Sequence, residues 1–345
     1  MDGRERVVDR VAPTSAHRRG MGAAVVGVLA VVFVFANRRE VPDIWRVLTT
    51  ARPMWCLTAG ALMVLWMAND TALQRATLRA TGVRMSIGNV ALGAGVAHFL
   101  NLTTKSAGAA GLAGFRAEAR RAGLPENSVT AGYVLGAMLT EWAFAAVLLA
   151  SFVVLATDAR LSAADLVGSA VFVLYAGSRI FMLMTALRDR DRLRGLMRVP
   201  ARFWASVRRR SPCEGVARSD RAADDLFDAL QFVRGRFRVL LPAVGHALAT
   251  EVIAAGILWA CIHAVGASLN PLQSLVAYSV SGLFGIVGFL PGGIGFVEVS
   301  LSAVLVGFGT PGITAAATVV LYRAFEWWLP VAIGGAFAHR LTAVR

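Results

Sequence analysis

Val239-Leu-Leu-Pro-Ala-Val-Gly-His246-Ala-Leu-Ala-Thr-Glu251-Val-Ile-Ala-Ala-Gly-Ile-Leu-Trp-Ala-Cys-Ile-His263-Ala-Val265 is 27 residues long, and Glu251 is its one formally charged side chain. About 20 residues of α-helix cross the roughly 30 Å hydrocarbon core of a bilayer, so this stretch reads as a membrane span. Its polar residues are as informative as its apolar ones. A charge at the centre of a span costs about 2.5–3.5 kcal/mol on insertion scales, so Glu251, with His246 and His263, is expected to face a bundle interior or a wet cavity.

Stretches of the same kind recur at 21–36, 53–70, 128–156, 162–187 and 314–338. Two further apolar regions, 86–118 and 271–309, are interrupted by glycine and polar residues; each reads as two short helices or as a re-entrant hairpin. Over the 345 residues, 57% are hydrophobic and 16% are charged, against about 25% charged in soluble domains. The fold class is therefore all-α, a polytopic transmembrane helix bundle with two broken or re-entrant helical hairpins, and an ordinary cytosolic enzyme is excluded. Cys56, Cys213 and Cys261 form no CxxC pair and no disulfide framework. Residues 1–20 are polar and lack the order of a signal peptide. They read as a cytoplasmic tail ahead of a membrane domain at 21–340.

The formal charge is +14, and all basic residues except Lys105 are arginine. In a chain this apolar, cationic side chains flank membranes rather than bind nucleic acid. The polar stretch 188–238 holds fourteen arginines and marks the cytoplasmic side, whereas 157–161 has one and 266–270 none. Both termini then lie in the cytoplasm and the protein in the cell membrane. The segment 37–52, with four arginines, fits this scheme poorly because it should be external. Within the basic loop, residues 222–234 carry acids followed by Leu226, Phe227, Leu230, Phe232 and Val233 in a helical stripe. They read as an interfacial helix or as the lead-in to the next span. The arginines read as ligands for anionic headgroups, at about 1 kcal/mol each, or as topology determinants alone.

A weak internal repeat runs through the sequence. Gly95-Val-Ala-His-Phe-Leu-Asn101 is similar to Gly285-Ile-Val-Gly-Phe-Leu-Pro291, and Glu141-Trp142 to Glu326-Trp327, with 42 residues from Phe99 to Glu141 and 37 from Phe289 to Glu326. With the orientations above, the two halves are inverted, the plan of many transporters.

Charged residues within apolar regions include Glu141, Arg179, Glu251, Glu298, Arg323 and Glu326, joined by His98, His246 and His263. Pro291-Gly292-Gly293-Ile-Gly295-Phe-Val-Glu298 is the clearest constellation, since proline and three glycines end a helix and free backbone groups. Amides at the next helix start attract an anion; Glu298 there attracts a cation or hydroxyls, or simply caps the helix. Arg323 and Glu326, three apart on one helical face, form an internal ion pair, or Arg323 holds a phosphate bidentately. Pro330 is expected to kink that helix. Around the first break, Lys105 meets a phosphate or snorkels to the interface, and Gly108, Arg116 and Glu118 follow. His246 and Glu251 are five apart and not on one face, so no metal site is assigned. There is no Walker, Rossmann or GxSxG element, so no catalytic residue and no cofactor is assigned.

Pro291–Glu298 together with Tyr322-Arg323-Ala-Phe-Glu326-Trp-Trp-Leu-Pro330 resembles the lysylphosphatidylglycerol synthase transmembrane region, a flippase-like family. Lys105-Ser106-Ala-Gly108 through Arg116, Gly123 and Glu141 is similar to its N-terminal half. The resemblance implies lipid translocation between leaflets. Where many members have an arginine after the first-half glutamate and an aspartate three further on, this chain has Trp142 and Ala145, and Asn101–Thr104 replaces a proline at the first break. Members fused to a soluble aminoacyltransferase also make the lipid; the chain ends at Arg345, and synthesis is not expected of it.

The expectation is thus a non-enzymatic lipid translocase for an anionic or glycosylated lipid. Its path would be lined by Lys105, Gly108, Arg116, Glu141, Pro291, Gly292, Gly293, Gly295, Glu298, Arg323 and Glu326. A membrane phospholipid or glycolipid is the substrate, and a second copy of the chain or a lipid-modifying enzyme is the candidate protein partner. The rival readings are a membrane-embedded transferase using a lipid-linked donor and a non-catalytic partner of a lipid-modifying enzyme.

Overall fold

A computed structural model of the chain describes residues 41–104, 106, 108–157, 174, 177–178, 181, 185, 188–207, 212–233, 237–288 and 290–342. Residues 1–40, most of 162–187, Lys105 and Arg179 lie outside the described residues, and with them the expected span 21–36. The chain divides into two units, Met1–Thr50 and Ala51–Arg345. In the first, α1 (Val41–Thr49) places Asp43 in its first turn and Arg46 in its last, the order that the helix dipole favours.

Among the described residues the second unit is all helix. Pro53 opens α2 (Pro53–Ala80) at a position where its missing N–H costs nothing. The Ser86 hydroxyl caps α3 (Ile87–Thr103) by accepting from Asn89 N. Then come α4 (Ala109–Arg121) and α5 (Glu126–Thr157), α6 (Arg190–Val207) and α7 (Pro212–Val233), and α8 (Phe237–Ala264). Asn270 and Gln273 cap each other's backbone at the start of α9 (Pro271–Val287). A tight turn at Pro291–Gly293 leads to α10 (Phe296–Gly307). The last helix runs in three pieces, α11 (Gly312–Arg323), a π-turn (Ala324–Trp328) and α12 (Leu329–Thr342).

Among the described residues, three helices are long and apolar enough to cross a membrane, within Pro53–Ala80, Ser128–Val154 and Arg238–Ala264. Both interrupted regions resolve into two short helices each. The expected kink at Pro330 is taken up one turn earlier: Pro330 has no N–H for the carbonyl of Glu326, and the ladder widens to a π-turn just before it. The span expected at 53–70 continues to Ala80 because Leu73, Thr77, Leu78 and Ala80 extend its buried side, which brings Asp70 and Gln74 inside the helix.

The order of elements repeats. A long helix, a short helix, a break, a short helix and a long helix run from α2 to α5 and again from α8 to α12. The two copies meet along α2 and α8, which lie antiparallel. Arg52 N donates to Ala264 O at 2.8 Å, and Trp55 packs on Trp259 and His263. Asn69 bonds His246 and Thr250 further along, and Leu73 packs on Ala243 and Ala247. The first helices of the two copies therefore run in opposite directions, the relation that inverted halves require.

Lipid gives helices no hydrophobic reason to associate, so close approach through small residues carries the packing. The main core is built this way, with Ala59, Ala260, Ala277 and Ala315 beside Ile257, Leu258, Leu301 and Leu305. At the crossing of α3 and α12, a Cβ on Gly334 would lie 2.6 Å from both Gly95 O and Phe99 Cβ.

The basic stretch 188–238 is not an open loop. Arg190, Arg194 and Arg198 on α6 pair with Asp228, Asp224 and Asp220 on α7. Steps of four residues on antiparallel helices make this a ladder. Arg194 and Arg198 each grip their aspartate with two N–H groups, at 2.8 and 2.9 Å and at 2.6 and 2.7 Å. Asp224 and Asp228 are therefore mid-helix partners of arginine rather than a helix start, because α7 begins ten residues before position 222, at Pro212. Ala223 and Phe227 pack on Leu193, Met197, Val134 and Met138, so this part of the stripe faces protein and not a membrane interface.

Two outcomes follow from this packing. Gly334→Ala lowers stability by about 1–3 kcal/mol through overpacking, read as an earlier thermal transition in detergent, whereas Gly245→Ala, with nothing within 4 Å of its added Cβ, does not. The second concerns pH. The hydrogen bonds from Arg198 hold the Asp220 carboxyl below its ordinary value of 3.8. A depressed folded value stabilises the hairpin at pH above 3.8 and loses that contribution only as pH falls through the lower folded value. A spin-label distance between positions 199 and 221 therefore stays sharp from neutral pH down to 3.8 and broadens only below it.

Candidate functional site

The break at Pro291–Gly295 is held by one arginine. Arg323, at the end of α11, is 5% exposed. Its Nε lies 2.9 Å from Glu298 Oε1, and one terminal nitrogen donates to Glu326 Oε2 at 2.8 Å. The other donates to the carbonyl of Gly292 at 3.0 Å. Three structural features thus converge on one guanidinium: the tip of the break, the first turn of α10 and the π-turn. The other oxygen of Glu298 accepts from Gly295 N at 2.6 Å, which satisfies one amide that the helix start would otherwise leave open. The cluster has two carboxylates and one guanidinium, a formal charge of −1. Both carboxylates reach the surface in part, 24% for Glu298 and 34% for Glu326.

Gly292 can only be glycine. Its φ is +63°, and a Cβ there would meet Trp327 Nε1 at 2.1 Å. Trp327 is itself buried, and its indole N–H has no hydrogen-bond partner among the described residues. The guanidinium also lies 5.7 Å from the Trp327 ring centre.

The structure thus brings Pro291, Gly292, Gly293, Gly295, Glu298, Arg323 and Glu326 into one site. Of the readings open from sequence, Glu298 caps its helix and pairs with arginine, and Arg323 with Glu326 is an ion pair. Arg116 belongs elsewhere. It bonds Glu126 at 2.7 Å, with Arg120 joining, at the base of the first hairpin. The Arg116 guanidinium holds that carboxyl below its ordinary value. Gly108 caps α4 with a φ of +85°, and Glu141 is half-buried on α5.

Among the described residues the first break is satisfied by neutral groups. Asn101 Oδ1 accepts from Gly111 N and its amide donates to Tyr133 Oη, both at 3.0 Å; the Ser106 hydroxyl accepts from Ala110 N. Sequence reasoning missed the Gly292 carbonyl as a guanidinium acceptor, the Asn69–His246–Thr250 tie and the bond from Tyr278 to Glu251. Each joins residues far apart in the chain, and only the buried polar residue types signalled them. Among the described residues no three His, Cys, Asp or Glu side chains group as a metal site.

The family model for the lysylphosphatidylglycerol synthase TM region matches residues 21–334. The chain belongs to this family. A UPF0104 membrane protein of Methanothermobacter thermautotrophicus is 31% identical over 81 residues, 24% of either chain. The match thus spans about a quarter of that relative's length. Membership of the lysylphosphatidylglycerol synthase TM family and the apolar helices make this an integral membrane protein.

Removing the guanidinium leaves two carboxylates facing each other in a buried break. Arg323→Met is expected to cost about 3–5 kcal/mol, and adding Glu298→Gln and Glu326→Gln recovers most of it. Denaturation midpoints of the wild type, Arg323→Met and the triple variant in detergent measure this.

Proposed function

We propose that the chain is a lipid translocase that moves an anionic or glycosylated lipid between the leaflets of the cell membrane, with both termini cytoplasmic and no covalent step. The observation that carries this reading is the Arg323 cluster at the second break. A guanidinium withdrawn from solvent is held by two carboxylates, and those carboxylates are partly open.

The arrangement permits exchange without baring a charge. A phosphate arriving at the open side takes the place of Glu326 on the terminal nitrogen of Arg323, and the planar fork of arginine suits its oxygens. Sugar or glycerol hydroxyls donate to the displaced carboxylate. One anion replaces another, so the desolvation cost is largely offset at each step. Inverted halves meeting along α2 and α8 supply the two-sided frame that alternating access requires. Family membership supports the membrane setting, and the path residues Lys105, Gly108, Arg116 and Glu141 join the proposal through the resemblance.

The test is movement of labelled phosphatidylglycerol, phosphatidylethanolamine and a glycolipid in vesicles containing the purified protein, read by quenching of the outer leaflet. Arg323→Lys keeps the charge but loses the fork, and is expected to slow the preferred lipid by about tenfold, equivalent to about 1.4 kcal/mol. Wild-type rates in Arg323→Gln would show that this site is not on the route.

A further inference from the structure

Glu251 lies at the midpoint of the span Arg238–Ala264, 13 residues from either end, or about 20 Å of helix each way. It is 3% exposed. Its hydrogen-bond partner is the Tyr278 hydroxyl of α9, which donates to Oε2 at 2.7 Å. No arginine, lysine or histidine pairs with it among the described residues.

Among the described residues the surroundings offer no cation in its place. Tyr278 comes from α9, and Tyr322, from α11, is electrostatically within reach. Beyond Tyr322 lie Glu326 and Arg323 of the candidate site, and Cys261 is on the same helix. From α2, Asn69 is bonded to His246 and Thr250, and Asp70 to Gln74. From α5, Ser151 is bonded to Ser279. A charge at such a place is costly without a cationic partner, and the contact that stabilises the carboxyl is the Tyr278 hydroxyl, which donates to Oε2.

We propose that Glu251 is a proton-binding site that couples proton movement to lipid translocation, an inference that rests on the translocase reading above. The proton joins a carboxylate oxygen when water reaches Glu251 from one side, and leaves to water on the other side after the helices around it have moved. Charge gives the coupling its sign. Deprotonated Glu251 adds a negative charge behind Tyr278 and Tyr322, next to the Arg323 cluster, and opposes an anionic headgroup there. Protonated Glu251 permits it. Proton and anionic lipid therefore bind together and cross in the same direction.

Vesicles holding the full chain, labelled phosphatidylglycerol and an internal pH dye test the coupling. Acidifying the outside is expected to speed inward lipid movement and to acidify the interior in proportion, and a protonophore removes the acceleration. Glu251→Gln, which cannot bind a proton, removes the gradient response and the acidification. An infrared band of a protonated carboxyl, present at neutral pH, missing in Glu251→Gln and shifted in Tyr278→Phe, reports the site without any transport. Lipid movement at one rate with and without the gradient, and no acidification, overturns the coupling and leaves the translocase reading standing. Absence of the band overturns the proton site whatever the lipid assay gives. Wild-type vesicles that move no lipid under any gradient overturn both.

Discussion

A helix that stops inside hydrocarbon exposes amides and carbonyls that no lipid can satisfy. The two breaks in this protein meet that constraint with side chains brought from elsewhere in the chain. At the second break, Arg323 donates to the Gly292 carbonyl while Glu298 accepts from Gly295. The ion pair between Arg323 and Glu298 then locks the two ends of the break together. A guanidinium suits this task because its donors point in several directions in one plane, so one buried charge fixes a loop, a helix start and a π-turn together.

The halves share an architecture and differ in chemistry. The first break uses Asn101, Ser106 and Tyr133, all neutral, where the second uses two carboxylates and an arginine. Among the described residues, then, similar frames are closed by different chemistry, neutral groups at the first break and an ion-pair cluster at the second.

The fold class was legible because hydropathy over about 20 residues is a local property: 53–70, 128–156 and 239–265 each declared themselves. The break at Pro291–Gly295 was legible too, since proline and glycine restrict backbone wherever they stand. The ion pair of Arg323 with Glu326 needed only helical spacing. What the sequence hid depends on tertiary contact. Arg190, Arg194 and Arg198 read as part of a basic loop because the aspartates they meet across the hairpin lie 22 to 38 residues away. Asp70 was placed at the end of a span because residues 71–80 are less apolar, and only packing of Leu73 and Leu78 shows that the helix continues. Arg116 is paired with Glu126 at the base of the first hairpin rather than joined to the Arg323 cluster.

Consecutive residues on α8 look in different directions, and this ties the seam between the halves to the interior. Thr250 faces α2, where its hydroxyl accepts from Asn69 while donating to His246 O. The Asn69 amide also donates to His246 O, and its carbonyl lies 2.8 Å from His246 Nδ1, which fixes the imidazole as the tautomer with hydrogen on Nδ1. Glu251, the next residue, faces α9 and Tyr278. A turn of α8 about its axis cannot bring water to Glu251 without straining the Asn69 tie, because the two side chains are about 100° apart on one rigid cylinder. Exposure of Glu251 therefore requires either that α2 and α8 move together against α9 or that the Asn69 bonds break first. The first route keeps every amide and imidazole bond in hydrocarbon intact, whereas the second leaves several polar groups without partners. Physical economy thus favours a rocking of the α2–α8 pair as a unit, with the seam preserved and the contact to α9 as the surface that opens.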